Sequence, residues 1–153
     1  MSLEVDRLIA LEDREAIREL IARYGPLADC GDAAGVAALW WPDGVYAIAG
    51  FDEAKGHDAI AALIEGPEHQ ALMADGCAHI LGPVSIDLFG EEAVARGHSL
   101  LVRRKASGFE IYRASANRWK LKKGPQGWRV VRRDNAALDG TTVARSLLSG
   151  SSD

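Results

Sequence analysis

The chain has 153 residues with 48% hydrophobic and 26% charged content, which fits one globular domain with a real core and excludes a disordered segment. A net charge of −4 argues against general nucleic-acid binding, two cysteines form neither a disulfide framework nor a zinc spacing, and no apolar run approaches the ~18 residues of a membrane span. The charged start, Met1 to Arg14, is unlike a secretion signal, so the expectation is a cytoplasmic protein without nucleic-acid or membrane partners.

Apolar spacing predicts a first helix over Val5 to Tyr24, with Ile17, Leu20, Ile21 and Tyr24 on one stripe and Glu19–Arg23 as an outward pair. Gly25-Pro26 should end or bend it. Asp32 reads as the N-cap of a short second helix, Ala33 to Trp40, closed by a turn through Trp41-Pro42-Asp43-Gly44. Val45 to Gly50 reads as an isolated strand. A third helix over Asp58 to Ala74 buries Ile60, Leu63 and Ile64 and is broken in two by Pro67.

From Cys77 to Ala137 the pattern changes to period two. Four long strands follow one another: Ala78 to Phe89, Val94 to Arg104, Phe109 to Lys122 and Trp128 to Ala137. Gly90-Glu91, Ala106-Ser107-Gly108 and Gly124-Pro125-Gln126-Gly127 punctuate them, and turns this short imply antiparallel neighbours. On the first strand, Ile80, Val84, Ile86 and Leu88 take one face by alternation, and His79, Leu81, Ser85 and Phe89 the other. Strands of this length twist and curve, and the N-terminal helices are the material to fill the concave side. The expected fold is α+β: a cone-shaped roll in which a strongly curved, mostly antiparallel sheet wraps around N-terminal helices. Residues 1–140 form the domain. Residues 141–153 are a polar tail, mobile or docked on a neighbouring subunit through Val143, Leu147 and Leu148. The pocket of such a cone lies between sheet and helices.

His79, at the start of a strand, and Asp29, after the first helix, are the candidates for chemistry. A carboxylate that holds one imidazole nitrogen fixes the tautomer and leaves the other nitrogen as a base. The bland readings are a hydrogen-bonded core histidine and a turn aspartate. Tyr24 continues an apolar stripe and is either core or a substrate contact; Arg133 is either a structural ion-pair partner or a pocket residue. His98 shares the parity of Leu100 and Val102. Trp40 and Trp41 read mainly as packing, with one of them able to wall an apolar pocket. His57 and His69 read as exposed. Cys77, two residues before His79, offers a nucleophilic pair with it, and His79, His98 and Asp29 lack a compact metal-ligand spacing. The late basic residues, from Arg103-Arg104-Lys105 to Arg132-Arg133, read as a solvated or subunit-facing surface.

Several motifs together resemble the SnoaL-like branch of the nuclear transport factor 2-like superfamily, over residues 5 to 137. They are Tyr24-x4-Asp29, Leu39-Trp40-Trp41-x-Asp43-Gly44 with Lys55-Gly56, Cys77-Ala78-His79, and Trp128-Arg129-Val130-Val131-Arg132-Arg133. Scytalone dehydratase and hexachlorocyclohexane dehydrochlorinase are the members it most resembles. The resemblance implies a cystatin-like cone that needs no metal or organic cofactor and assembles as a homo-oligomer, a trimer first and a dimer second. It implies that Asp29 and His79 match a catalytic dyad and Arg133 a pocket arginine. His98 corresponds to a second histidine, and Tyr46 stands in for a second pocket tyrosine. Tyr24 occupies the position of the dehydrochlorinase's lysine and is similar to dehydratase-like members. The implied activity is a dehydratase-like lyase acting on a small, largely apolar cyclic substrate. An isomerase or polyketide-cyclase-like proton transfer is one alternative, and a non-catalytic ligand-binding or oligomerisation module the other.

Overall fold

The computed structural model describes residues 2–150. The first helix, α1 (Leu3–Asp29), is longer than the apolar pattern predicts and runs through Gly25-Pro26 to Asp29. Its start is capped by Ser2, whose hydroxyl oxygen accepts from the Val5 amide. Pro26 lacks the amide that would bond the Ala22 carbonyl, but the last turn survives because Cys30 donates to the Pro26 carbonyl and Asp32 to that of Leu27. Ile17, Ile21, Tyr24 and Ala28, at spacings of four and three, form the buried stripe. Near the other end, buried Asp13 accepts from Lys123 Nζ at 2.8 Å and Trp128 Nε1 at 2.9 Å, tying α1 to the sheet.

Asp32 caps α2 (Ala33–Ala37) by accepting from the Gly35 amide at 2.8 Å. The chain then enters β1 (Trp40–Ile48), so Trp40 begins a strand rather than ending a helix. This strand is not isolated. It pairs antiparallel with the two-residue β2 (Ala54–Lys55) and parallel with the last strand, with a register break between Trp40 and Val45. Two helices follow, α3 (His57–Glu65) and α4 (Pro67–Asp75), divided at Gly66 with Pro67 opening the second, as the sequence predicts.

β3 (Cys77–Phe89), β4 (Glu92–Lys105), β5 (Gly108–Gly124) and β6 (Gly127–Ala137) are the four expected antiparallel strands. They complete a six-stranded sheet in the order β2-β1-β6-β5-β4-β3. Gly90, Gly108 and Gly127 carry the positive φ that these hairpins require. Three bulges bend the sheet. Gly82-Pro83 oppose the single residue His98, Tyr112 is extra between Leu101 and Val102, and Val131 is extra opposite the Lys120–Leu121 step.

The first bulge corrects the simple alternation on β3. His79 and Leu81 face inward before it, Val84, Ile86 and Leu88 after it, and Ile80 is about half exposed on the other face. The core joins α1 to Ile86, Ala93, Ala95, Trp119, Leu121, Trp128 and Val130 of the sheet. The architecture is the expected α+β arrangement of N-terminal helices held by a curved sheet.

The segment after Asp139 forms α5 (Thr142–Leu148), which lies on the chain's own sheet. Its Ala144 and Leu147 cover Ala116 and Ala136 of β5 and β6. The tail expected to be mobile or docked on a neighbouring subunit instead packs locally over residues 142–148, and Ser151 to Asp153 lie outside the described residues. Among the described residues no helix is long and apolar enough to cross a membrane.

Candidate active site

The end of α1 and the start of β3 meet at Gly25. A Cβ there would overlap the His79 carbonyl oxygen, so only glycine permits this approach. One turn later Asp29 faces the same strand. Its Oδ1 and Oδ2 lie 3.1 and 2.9 Å from the His79 amide, and Oδ1 lies 2.7 Å from His79 Nδ1. A carboxylate oxygen accepts, so Nδ1 carries the proton and Nε2 is left with a lone pair. Backbone and ring of one residue are thus gripped by one carboxylate, which fixes position and tautomer together.

His79 lines a cavity of about 540 Å³ between the sheet and α3–α4. Burial is the largest influence on it and pushes the imidazole pKa below its ordinary value; Asp29 pulls the other way, while His69 and Arg133 add to the lowering. The neutral, proton-accepting form therefore persists to lower pH than for a free histidine. If His79 is the base, the acid limb of kcat/KM should lie below the ordinary histidine value of about 6.5. A pH profile whose acid limb lies above 7 would contradict this assignment.

Tyr24 and Tyr46 are buried side by side at the cavity wall, their ring centroids 6.2 Å apart. The Tyr24 ring also meets the His79 ring edge-on at 6.1 Å. Burial and the neighbouring Tyr46 raise the Tyr24 phenol well above its ordinary range, so it stays protonated and able to donate. Arg133 is 2% exposed, and its guanidinium lies 4.4, 4.6 and 4.2 Å from the rings of Tyr24, Tyr46 and Trp119. Desolvating a cation costs several kcal/mol. Three ring faces at about 0.5–2 kcal/mol each offset much of that cost. Nε donates to Asn117 Oδ1 at 2.9 Å, whereas Nη1 is buried with no partner.

Two expected contacts are corrected. Trp40 is fully buried behind the cavity, stacked on Tyr46 at 5.5 Å and 17°, and supports that tyrosine instead of lining the space. His98 is exposed on the opposite face of the sheet, opposite the Gly82-Pro83 bulge and paired with Ala116, whose outer side α5 covers. The metal-ligand set that included His98 is therefore not assembled. Asp29, Cys77 and His79 do place ligand-type atoms within 4.8 Å of one another. Coordination by His79 Nδ1 would break the bond to Asp29. Burial and Asp29 both raise the Cys77 thiol, whose Sγ lies 3.7 Å from Asp29 Oδ1, which disfavours the thiolate needed for a Cys–His nucleophile.

The position of His69 differs most from its sequence reading. It is buried, lines the cavity, and its ring centroid is 5.4 Å from that of His79. Its Nε2 is 2.7 Å from the Ala28 carbonyl, an acceptor, so Nε2 carries a proton and Nδ1 is bare in the neutral ring. His57, by contrast, is half-buried and donates to the Trp40 carbonyl at 2.7 Å, a structural contact. A polar network on β4 to β6 was also missed. Arg113 Nε donates to Ser115 Oγ and Nη2 to Asn135 Oδ1, both at 2.8 Å; Asn135 donates to Asn117, which donates to Ser99. The available signal was parity: Arg113, Ser115 and Asn117 alternate toward the same face as buried Trp119.

A family model described as a SnoaL-like domain matches residues 10–134. Among solved structures, the chain is similar to an NTF2-like protein with a cystatin-like fold from Novosphingobium aromaticivorans, at 57% identity over 97% of each chain and a TM-score of 0.94. A function-unknown protein from Mycobacterium tuberculosis aligns at 20% identity over 98% of this chain and 86% of the other, with a TM-score of 0.77. A protein from Catenulispora acidiphila, solved in complex with S-DNPA, aligns at 24% identity over 89% and 98%, with a TM-score of 0.73. The last two show the fold alone. No curated protein matches significantly.

Proposed function

The chain belongs to the SnoaL-like domain family, and from that premise we propose that it is a lyase that uses the Asp29–His79 dyad to remove a proton from a small, largely apolar cyclic substrate. The observation that carries this reading is the 2.7 Å hydrogen bond from His79 Nδ1 to Asp29 Oδ1 beside a cavity of about 540 Å³. His79 Nε2 takes the proton from a carbon next to the leaving group, and Asp29 steadies the imidazolium that forms. Tyr24 donates to an oxygen on which charge develops, and Arg133 adds its positive field beside it. The chemistry proposed uses these side chains and no cofactor.

Tyr24 bears on the leaving group. A neutral phenol suits a carbonyl or hydroxyl oxygen better than a departing chloride, so loss of water or enolisation is expected over loss of halide. Tyr24→Phe keeps the ring against His79 and Arg133 and removes only the hydroxyl. Turnover of an oxygenated substrate should then fall by about 10–10³-fold, the range for losing one preorganised donor. The assay pairs wild type with Tyr24→Phe on β-hydroxy ketones and chlorinated cyclohexanes. Faster wild-type turnover of the chlorinated set, unchanged in the variant, would refute the oxygen-directed reading.

An isomerase is the second reading, and His69 favours it. A second imidazole beside the first, once its bare Nδ1 has taken a proton from solvent, can deliver it to another carbon, which elimination does not need. Deuterium from solvent appearing at a new carbon of an unfragmented product would select isomerisation. We also propose a symmetric homo-oligomer, supported by the exposed Ile80, Ile111 and Val143. Sedimentation equilibrium showing only monomer at micromolar concentration would refute it.

A further inference from the structure

The cavity contains more positive charge than the dyad chemistry uses. Arg113 and Arg133 both line it, and among the described residues neither forms an ion pair with a carboxylate. They are joined through the neutral carboxamides of Asn135 and Asn117. The acidic residues that also line the cavity, Asp52, Glu68 and Asp75, are exposed at its rim, and Asp75 pairs with Arg103. Holding Ser115 and Asn135 requires only two donors, which a neutral amide side chain supplies without the cost of desolvating a cation. A guanidinium has five N–H groups; two are used here, leaving three at the Nη end, the fork that receives a carboxylate. The partnerless, buried Nη1 of Arg133 is a second donor without an acceptor on the protein.

Building on the reading of this cavity as the substrate site, we propose that the substrate carries a carboxylate and that Arg113 is the residue that selects it. The apolar wall of Leu81, Leu101 and Ile64 receives the hydrocarbon part. Arg113 receives the acid, and Arg133 contributes to the same positive field.

The test is equilibrium binding of an isosteric pair, benzoate and benzamide, by titration calorimetry at low salt. Wild type should bind benzoate about tenfold more tightly than benzamide, the scale of one charge-assisted hydrogen bond over a neutral one. Arg113→Gln should bring the two within about twofold while binding benzamide as wild type does, and Arg113→Lys should keep part of the preference. Equal wild-type affinities, no benzoate binding, or a preference unchanged in Arg113→Gln would each overturn the proposal. Should Arg113→Gln fail to fold, Arg113→Lys decides, since a preference undiminished there removes the guanidinium fork from the explanation. Because binding is read without turnover, failure here leaves the dyad mechanism standing, and loss of the dyad mechanism leaves this result intact.

Discussion

His79→Ala is expected to lower kcat/KM by about 10²–10⁴-fold on any substrate the wild type turns over, the contribution of a positioned general base. Asp29→Asn should fall in the same range for a different reason. An amide in place of Oδ1 or Oδ2 can still meet the ring, but an NH2 group turned toward Nδ1 would donate to it and favour the tautomer with the proton on Nε2. It also removes the charge that steadies the imidazolium. Because both residues act on one proton, the double variant should lose little more than His79→Ala alone. Circular dichroism should show both variants folded, since the core around Ile17, Trp119 and Val130 does not depend on the dyad. Near-native turnover in either single variant would remove the mechanism.

Gly25→Ala tests how the dyad is positioned, and its sign is informative. In an exposed helix interior, replacing glycine with alanine gains about 0.5–1 kcal/mol. At Gly25 the new methyl would strike the His79 carbonyl, a backbone atom held in the β3–β4 ladder, so the helix or the strand has to move. Overpacking of this kind costs about 1–3 kcal/mol, which outweighs the propensity gain. The melting temperature should therefore fall. Turnover should fall too, toward that of Asp29→Asn, because Asp29 sits one turn beyond on the same helix and relies on that approach. A variant that is more stable and fully active would show that the α1–β3 contact does not set the dyad.

Much of this was legible in the sequence because the signals were local. The N-cap at Asp32, the break at Pro67, the glycine turns and the four antiparallel strands each follow from a few adjacent residues. The dyad was legible through Asp29 and His79 in their motifs. What escaped depended on bulges and long-range packing. Strict alternation put Ile80 with Val84 and Ile86, but Gly82-Pro83 inserts an extra residue and reverses the faces. On β4 the alternation is unbroken, with Ala93, Ala95, Ser99 and Leu101 inward, so His98 faces outward with Val94 and Arg96. His69 looked exposed because α4 has no clear apolar stripe, yet the Ala28 carbonyl at the end of α1 draws it inward. Parity puts Arg113 and Asn117 on the face of Trp119, but alternation alone does not show that this end of the face is enclosed. Trp40 read as helix because four residues, Trp41 to Gly44, separate its pairing from that of Val45.

The central claim is that Asp29 holds His79 with its proton on Nδ1 and a bare Nε2 facing the chemistry. The most direct measurement is the ¹⁵N spectrum of the imidazole rings at pH 7.5, with His79 identified through His79→Ala. It needs no substrate. The account predicts a neutral His79 ring with a protonated, hydrogen-bonded Nδ1 and an unprotonated Nε2, and loss of that pattern in Asp29→Asn. A His79 ring protonated on Nε2, or on both nitrogens, at that pH would contradict it.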